Sequence, residues 1–427
     1  MNAATPPWFR RPAPSASPGA RVLVIGGGIA GAAAAYHLRA AGLQPIVLEA
    51  SERLGAGASG NPAALFMPRL ELDPSPVARF HEAAFHFGRA WLRLLTADTP
   101  DAGLTPCGAL QLASNVEAAE RLRRLAAPSH WGRIERTWIA RPDAPTVAGV
   151  PLTELSENAA GLWFPQGCAL RPTDIVRRAV AGADVRFGAE VARLAPPQTS
   201  QDGSWRALGG SDREIAAGRA VVLACGLAAT AFAETASLPL AGSAGQVSVA
   251  PPSASTAGLK TAIAGGPYIL PAVDGERQCF GASYEPLDAA GALAPSLARR
   301  QASAARLSAW GLSPALDAPL TADRVAVRCV TPDRAPIAGP VPDTARFLND
   351  YAGLRTGDPR ADYPPAAYRD GLYVITGLGS RGFLTSPLAG ALVAAQIAGR
   401  ASPVPDALAA AIHPARFLIR SLKRREI

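Results

Sequence analysis

Cysteine is scarce in this chain and poorly spaced for bonding. The five residues, Cys107, Cys168, Cys225, Cys279 and Cys329, are an odd number lying far apart, which excludes a C-x-x-C metal or redox motif and a disulfide framework and predicts buried free thiols. His81 and His86 fall five apart on one helical stretch, where two ligands to one metal need i, i+4 spacing, so both are read as structural or exposed. No apolar run is long enough to span a bilayer. Residues 1–20, broken by Pro6, Pro7, Pro12, Pro14 and Pro18, lack the apolar core of a secretory signal. They are expected to form a flexible lead-in to a cytoplasmic protein with no membrane partner. Charged residues are also few, 18% against 48% hydrophobic, as in a soluble enzyme with a sizeable core. The charge present is unbalanced, +8 overall with a pI near 9.6. That balance attracts nucleic acid or other anions, yet almost all of it is arginine in an Ala-, Gly- and Pro-rich chain, which is equally a compositional habit. At 427 residues there is room for two domains, or for one with a large insertion.

Glycine is placed with more purpose. Residues 22–25 are apolar and mostly β-branched, a short buried strand, and the glycines that follow turn the chain into a helix. Gly26, Gly28 and Gly31 fall on G-x-G-x-x-G spacing: the first allows the tight turn, the second a close approach of pyrophosphate, the third helix-on-strand packing. The helix 30–41 is nearly all Ala and Leu, Gly42 stops it, and a strand at 45–48 ends on Glu49. An acid there can accept hydrogen bonds from both ribose hydroxyls of an adenosine, and it disfavours a 2′-phosphate, so NADP is not expected. The loop 55–62 that follows is rich in small residues. It can lay backbone amides and the Ser59 hydroxyl along a pyrophosphate or flavin edge.

Further along, 76–95 reads as an amphipathic helix and 116–126 as a basic helix carrying Arg121, Arg123 and Arg124. The run 220–224 is apolar throughout, a strand buried on both faces that returns to the sheet of 22–25 and ends at Cys225-Gly226. Between 239 and 330 the texture changes to short alternating strands. A late strand, 372–376, runs into Gly377-Leu378-Gly379-Ser380-Arg381-Gly382 and a helix, a second anion or dipole site. The fold class is therefore α/β, a Rossmann-like dinucleotide-binding domain with an inserted antiparallel-sheet domain, which the resemblance described next makes an FAD-binding domain and a substrate domain. The expected division is FAD-binding segments at 21–100, 146–238 and 331–427, with substrate segments at 101–145 and 239–330.

The order of these motifs resembles the D-amino acid oxidase-like flavoenzymes. Within them, residues 57–62 (Gly-Ala-Ser-Gly-Asn-Pro), 245–247, 333–343 and 371–387 are similar to the FAD-dependent oxidase domains of bacterial tRNA wobble-uridine modification proteins. The similarity covers nearly the whole chain from about Arg21. Well-known members of that family carry a methyltransferase domain ahead of the oxidase, for which this chain has no room, and Pro7-Trp8-Phe9 looks like the remnant of the junction. Only the oxidative half of the activity carries over, with a separate methyltransferase acting on the product.

The resemblance implies non-covalent FAD, held by Gly26, Gly28, Gly31, Glu49, Ser59, Gly60, Asn61, Gly226, Gly377, Gly379, Ser380 and Gly382. It implies a tRNA substrate whose wobble uridine bears a 5-carboxymethylaminomethyl group. Hydride loss from the carbon beside a neutral secondary amine gives an imine, and its hydrolysis leaves glyoxylate and the 5-aminomethyl group. The carboxylate of such a substrate calls for a bidentate cation. Arg381 is the first candidate, with Arg334 and Arg328 behind it. Two other readings stay open: an oxidase or dehydrogenase of glycine, sarcosine or D-amino acids, and an electron-transfer or binding flavoprotein. The terminal helix, where Arg416, Arg420, Lys423 and Arg424 can share a face, favours the polynucleotide.

Overall fold

The computed structural model describes residues 6, 8–99, 102–127, 131–140, 143–152, 160–200, 202–272, 275–287, 293–357 and 363–427. Its centre is the strand Arg21–Ile25, flanked in parallel by Gln44–Leu48 on one side and Ala220–Leu223 on the other. Asp184–Arg186 and Tyr368–Thr376 extend this parallel sheet outward, and Ile337–Pro342 closes one edge in antiparallel pairing, making six strands. All four residues of Ala220–Leu223 are buried, as their unbroken apolar run requires, because helices cover one face and the meander 193–218 the other. Helix Ile29–Ala40 lies against helix Gly382–Ile397 so closely that a Cβ at Gly390 would stand 2.8 Å from the Ala33 carbonyl carbon. The small residues of both helices are what permit that approach.

A second sheet of nine strands forms the other layer. Ala241–Ala250 is its longest strand and pairs with both Arg324–Val330 and Gln278–Gly281. The sheet is antiparallel except where Ala262–Ala264 runs parallel to Ala109–Leu112. The expected boundary at 146 is corrected here. Strand Gly161–Phe164 pairs with Ala109–Leu112 and Thr137–Ile139, so this layer takes chain that had been assigned to the FAD-binding segment 146–238.

The lead-in also departs from expectation. Trp8 and Phe9 are buried, both ring-packed against His413, and Ser15 and Ala16 donate their amides to the Ile397 carbonyl. Residues 8–20 are therefore a strap on the first domain, held by contacts with chain that lies far away in sequence. Pro7 lies outside the described residues. All five cysteines are free, with Cys168 and Cys279 buried and the others half-buried. His81 is buried and His86 half-buried. Among the described residues no helix is long and apolar enough to cross a membrane, and no cluster of side chains could hold a metal ion.

Candidate active site

A cavity of about 1340 Å³ runs from the carboxyl ends of the parallel strands to the underside of the nine-stranded sheet. It is larger than the roughly 300–1,000 Å³ that suits one compact ligand, as a dinucleotide plus a substrate requires.

One end is built by the first glycine turn. Gly26 has φ +109°, and Gly31 is so close to it that a Cβ there would lie 1.9 Å from the Gly26 carbonyl oxygen, so both are required by the turn and its packing. Gly28 caps helix Ile29–Ala40 and lines the cavity. The Glu49 carboxylate accepts from the Gly27 amide at 2.6 Å and the Ser51 amide at 2.9 Å, one on each oxygen. An ionised carboxylate has about four acceptor positions, so two remain for a diol. Ser59 Oγ accepts the first amide of the helix, from Ile29, at 2.9 Å. Its own O–H is then available to donate into the cavity, passing the positive helix terminus outward. Asn61 lines the cavity, and its buried Oδ1 has no hydrogen-bond partner among the described residues.

Gly60 belongs to a different category from the one expected. It is absent from the cavity wall and packs against the Gly55 carbonyl and the Arg324 guanidinium. Arg324, on the second sheet, donates to the carbonyls of Ala56 and Gly57 and so holds this loop from across the domain boundary. Sequence reading passed over Arg324 because nothing local links it to the loop.

The other end gathers Gly226, Gly377, Gly379, Ser380 and Gly382, all on the cavity wall. Gly226, Gly377 and Gly379 have φ of +62°, +66° and +54°, which L side chains resist. Thr376 Oγ1 ties the two turns by donating to the Gly226 carbonyl at 2.9 Å. Cys225 and Cys329 also reach the wall, but burial pushes the Cys225 thiol up to about 12 and raises Cys329 as well. Neither supplies a thiolate nucleophile at neutral pH.

Of the three arginine candidates, two line the cavity and one does not. Arg334 has φ +57° and an exposed side chain off the cavity wall, and its backbone carbonyl accepts from Arg69 at 3.2 Å. Its part is to shape a turn, so it is withdrawn as a carboxylate ligand. Arg328 donates to the Ser283 carbonyl at 3.1 Å and lies 4.3 Å over the Tyr284 ring. It fits because residue 245 is glycine, where a Cβ would collide with its guanidinium at 1.9 Å. Arg381 caps the late helix, and among the described residues its guanidinium has neither a hydrogen bond nor an ion pair. Its side chain is exposed by surface area and opens on the cavity, with protein packed around that space. The resulting desolvation, followed by the charge of Arg69, lowers its pKa to about 10. Arg69 itself is compensated by Glu71 at 2.8 Å. Tyr268 and Tyr284 complete this end of the wall.

The diol acceptors, the amide-bearing turn and the orphaned Asn61 oxygen fit an adenine dinucleotide, and the glycine turns 226 and 377–382 leave open wall beyond it for a flat ring system. Residues 21–396 match the family described as FAD dependent oxidoreductase. The chain belongs to that family, and it is an FAD-dependent oxidoreductase with FAD as its cofactor. It is 35% identical to the tRNA 5-methylaminomethyl-2-thiouridine biosynthesis bifunctional protein MnmC of Magnetococcus marinus over 98% of this chain and 62% of that protein. The corresponding protein of Burkholderia thailandensis is 36% identical over 95% of this chain and 61% of its own length. The chain thus spans about three-fifths of the curated relatives it matches. Among solved structures it is similar to glycine oxidase from Geobacillus kaustophilus, with TM-score 0.68 and 21% identity over 93% of this chain and 99% of the other. L-proline dehydrogenase from P. horikoshii superposes with TM-score 0.69 and 17% identity over 94% and 99%. At these identities the structures speak for the fold.

Proposed function

We propose that the enzyme oxidises the carboxymethylamino group of 5-carboxymethylaminomethyl-(2-thio)uridine at the wobble position of tRNA, releasing glyoxylate and leaving a 5-aminomethyl group. The observation that carries this is the unpartnered Arg381 cation on the cavity wall beside the late glycine turn. Arg381 is exposed to the cavity and has no counter-ion among the described residues, so its planar donors are free to meet a ligand carboxylate bidentately. Arg328 is placed to add a second cation. Bound FAD would supply the hydride acceptor for the carbon next to the amine. The protein's own contribution is to hold the carboxylate on Arg381 and Arg328, keep the amine unprotonated beside two cations, and leave room for the water that hydrolyses the imine.

The polynucleotide part of this reading is supported by the extended identity to the bifunctional tRNA-modifying proteins, and it favours them over a free amino-acid oxidase. Their further activity, supplied by another polypeptide or another domain, would complete the modification. The test is anaerobic single turnover. tRNA bearing the carboxymethylaminomethyl group should bleach the flavin and yield stoichiometric glyoxylate. Faster bleaching by sarcosine or glycine than by the tRNA would instead make this a small-molecule oxidase.

A further inference from the structure

We infer that Tyr284 is the platform on which the pyrimidine of the substrate stacks, an assignment that rests on the function proposed above and adds what recognises the base. Tyr284 is unusual among the aromatic side chains in being 59% exposed while lining the cavity. One face of its ring is backed by the Arg328 guanidinium at 4.3 Å, and its hydroxyl lies 3.2 Å from Ser380 Oγ, the residue before Arg381. The ring is therefore fixed at two points and its remaining face is open. A phenol braced in this way is pre-organised to receive a flat partner with little further loss of side-chain entropy.

Placement decides which flat partner. Tyr284 touches both elements that carry the carboxylate-binding cations, Arg328 through its ring and the Ser380-Arg381 turn through its hydroxyl. A base lying on the open face would have its 5-substituent pass the ring edge toward Arg381. Glycine and sarcosine have no group to place there, so the platform adds binding only for a substrate that carries a ring. Base stacking on an aromatic side chain is tolerant of the identity of the base, so specificity for the modified uridine stays with the arginines.

The experiment compares 5-carboxymethylaminomethyluridine nucleoside with sarcosine as reductants of the flavin, each read as kcat/KM, in holoenzymes whose flavin content is matched. Tyr284→Leu should lower the nucleoside-to-sarcosine ratio by about 5- to 150-fold, chiefly through the nucleoside KM, which is the range base–aromatic stacking spans. Tyr284→Phe and Tyr284→Trp should keep most of the ratio, since each retains a π-face. An unchanged ratio in Tyr284→Leu, or an equal fall in Tyr284→Phe, overturns the platform while leaving the proposed reaction standing. Wild-type flavin bleached faster by sarcosine than by tRNA bearing the carboxymethylaminomethyl group overturns the reaction itself, and the platform with it.

Discussion

The two ends of the cavity are built on opposite principles. At the adenosine end most polar groups already have partners inside the chain: Glu49 holds the Gly27 and Ser51 amides and Ser59 holds the Ile29 amide, with only the Asn61 Oδ1 left over among the described residues. The turn is braced before the ligand arrives, and the ligand fills leftover acceptor positions. At the reacting end Arg381 has no partner among the described residues, and Tyr284 has an open face. A cofactor that stays bound suits a satisfied site. A substrate that must enter, react and leave suits one whose unmet charge is compensated only while it is there.

If that contrast is right, the largest effect of a single change should come from Glu49. Glu49→Ala removes the diol acceptors and the brace of the turn together, and at roughly 1.5–3 kcal/mol for each of two charge-assisted bonds FAD affinity should fall about 10²- to 10⁴-fold. Flavin fluorescence titration of the apoprotein measures it. Unchanged affinity in a folded variant would remove the acid from the ribose.

Arg381→Lys should show the opposite pattern, with FAD retained and kcat/KM for the carboxylate substrate down by about 10²-fold, because the planar fork is lost while the charge remains.

A third test concerns arginines that look alike in sequence. Arg416 is 8% exposed and pairs with Asp333 at 2.9 Å, and Arg420 reaches the same carboxylate at 2.9 Å. Burial alone would raise the Asp333 pKa, but the Arg416 hydrogen bond and charge outweigh it and hold the carboxyl at about 2. The pair's stabilisation is therefore fully present above the ordinary carboxylate value of 3.8 and lost as pH falls through about 2. Asp333→Asn should flatten the pH dependence of stability in that window. It should also cost about 3–5 kcal/mol at neutral pH, because it strands the Arg416 charge. Urea melts at several pH values read both effects.

The smallest effects should be at the end of the same helix. Arg424 is 64% exposed and its contact with Glu426 is long, 3.6 Å. Neutralising Lys423 and Arg424 should move stability by no more than about 0.5 kcal/mol, and the tRNA salt slope by less than one unit per residue. A drop of two units would restore this helix as a phosphate-binding surface.

The legibility of the molecule follows the same division. Strand, glycine turn, helix and Glu49 sit within thirty residues of one another, and each has a local reason in residue type and spacing, so the turn and the FAD cofactor could be read from the chain alone. The same reasoning placed Gly60 on the cofactor, because a small residue in a binding loop reads identically whether it faces a ligand or packs under Arg324. The boundary at 146 failed for a related cause. Gly161–Phe164 is a short apolar run that suits either sheet, and only pairing with Ala109–Leu112 assigns it.

What the sequence by itself determined is therefore the nucleotide-binding turn, its acid, the buried parallel strands and, through motif order, the family. Tertiary structure alone decided which arginines are left without a partner. Arg334, Arg328, Arg381, Arg416 and Arg420 carry the same group, and no spacing rule distinguishes them. Arg416 and Arg420 share the Asp333 carboxylate from 83 and 87 positions away, Arg334 is turned out at a left-handed residue, Arg328 is laid over Tyr284 beneath Gly245, and Arg381 is left facing the cavity. Charge is a property of the residue, but the availability of that charge depends on what the folded chain brings within about 4 Å of it.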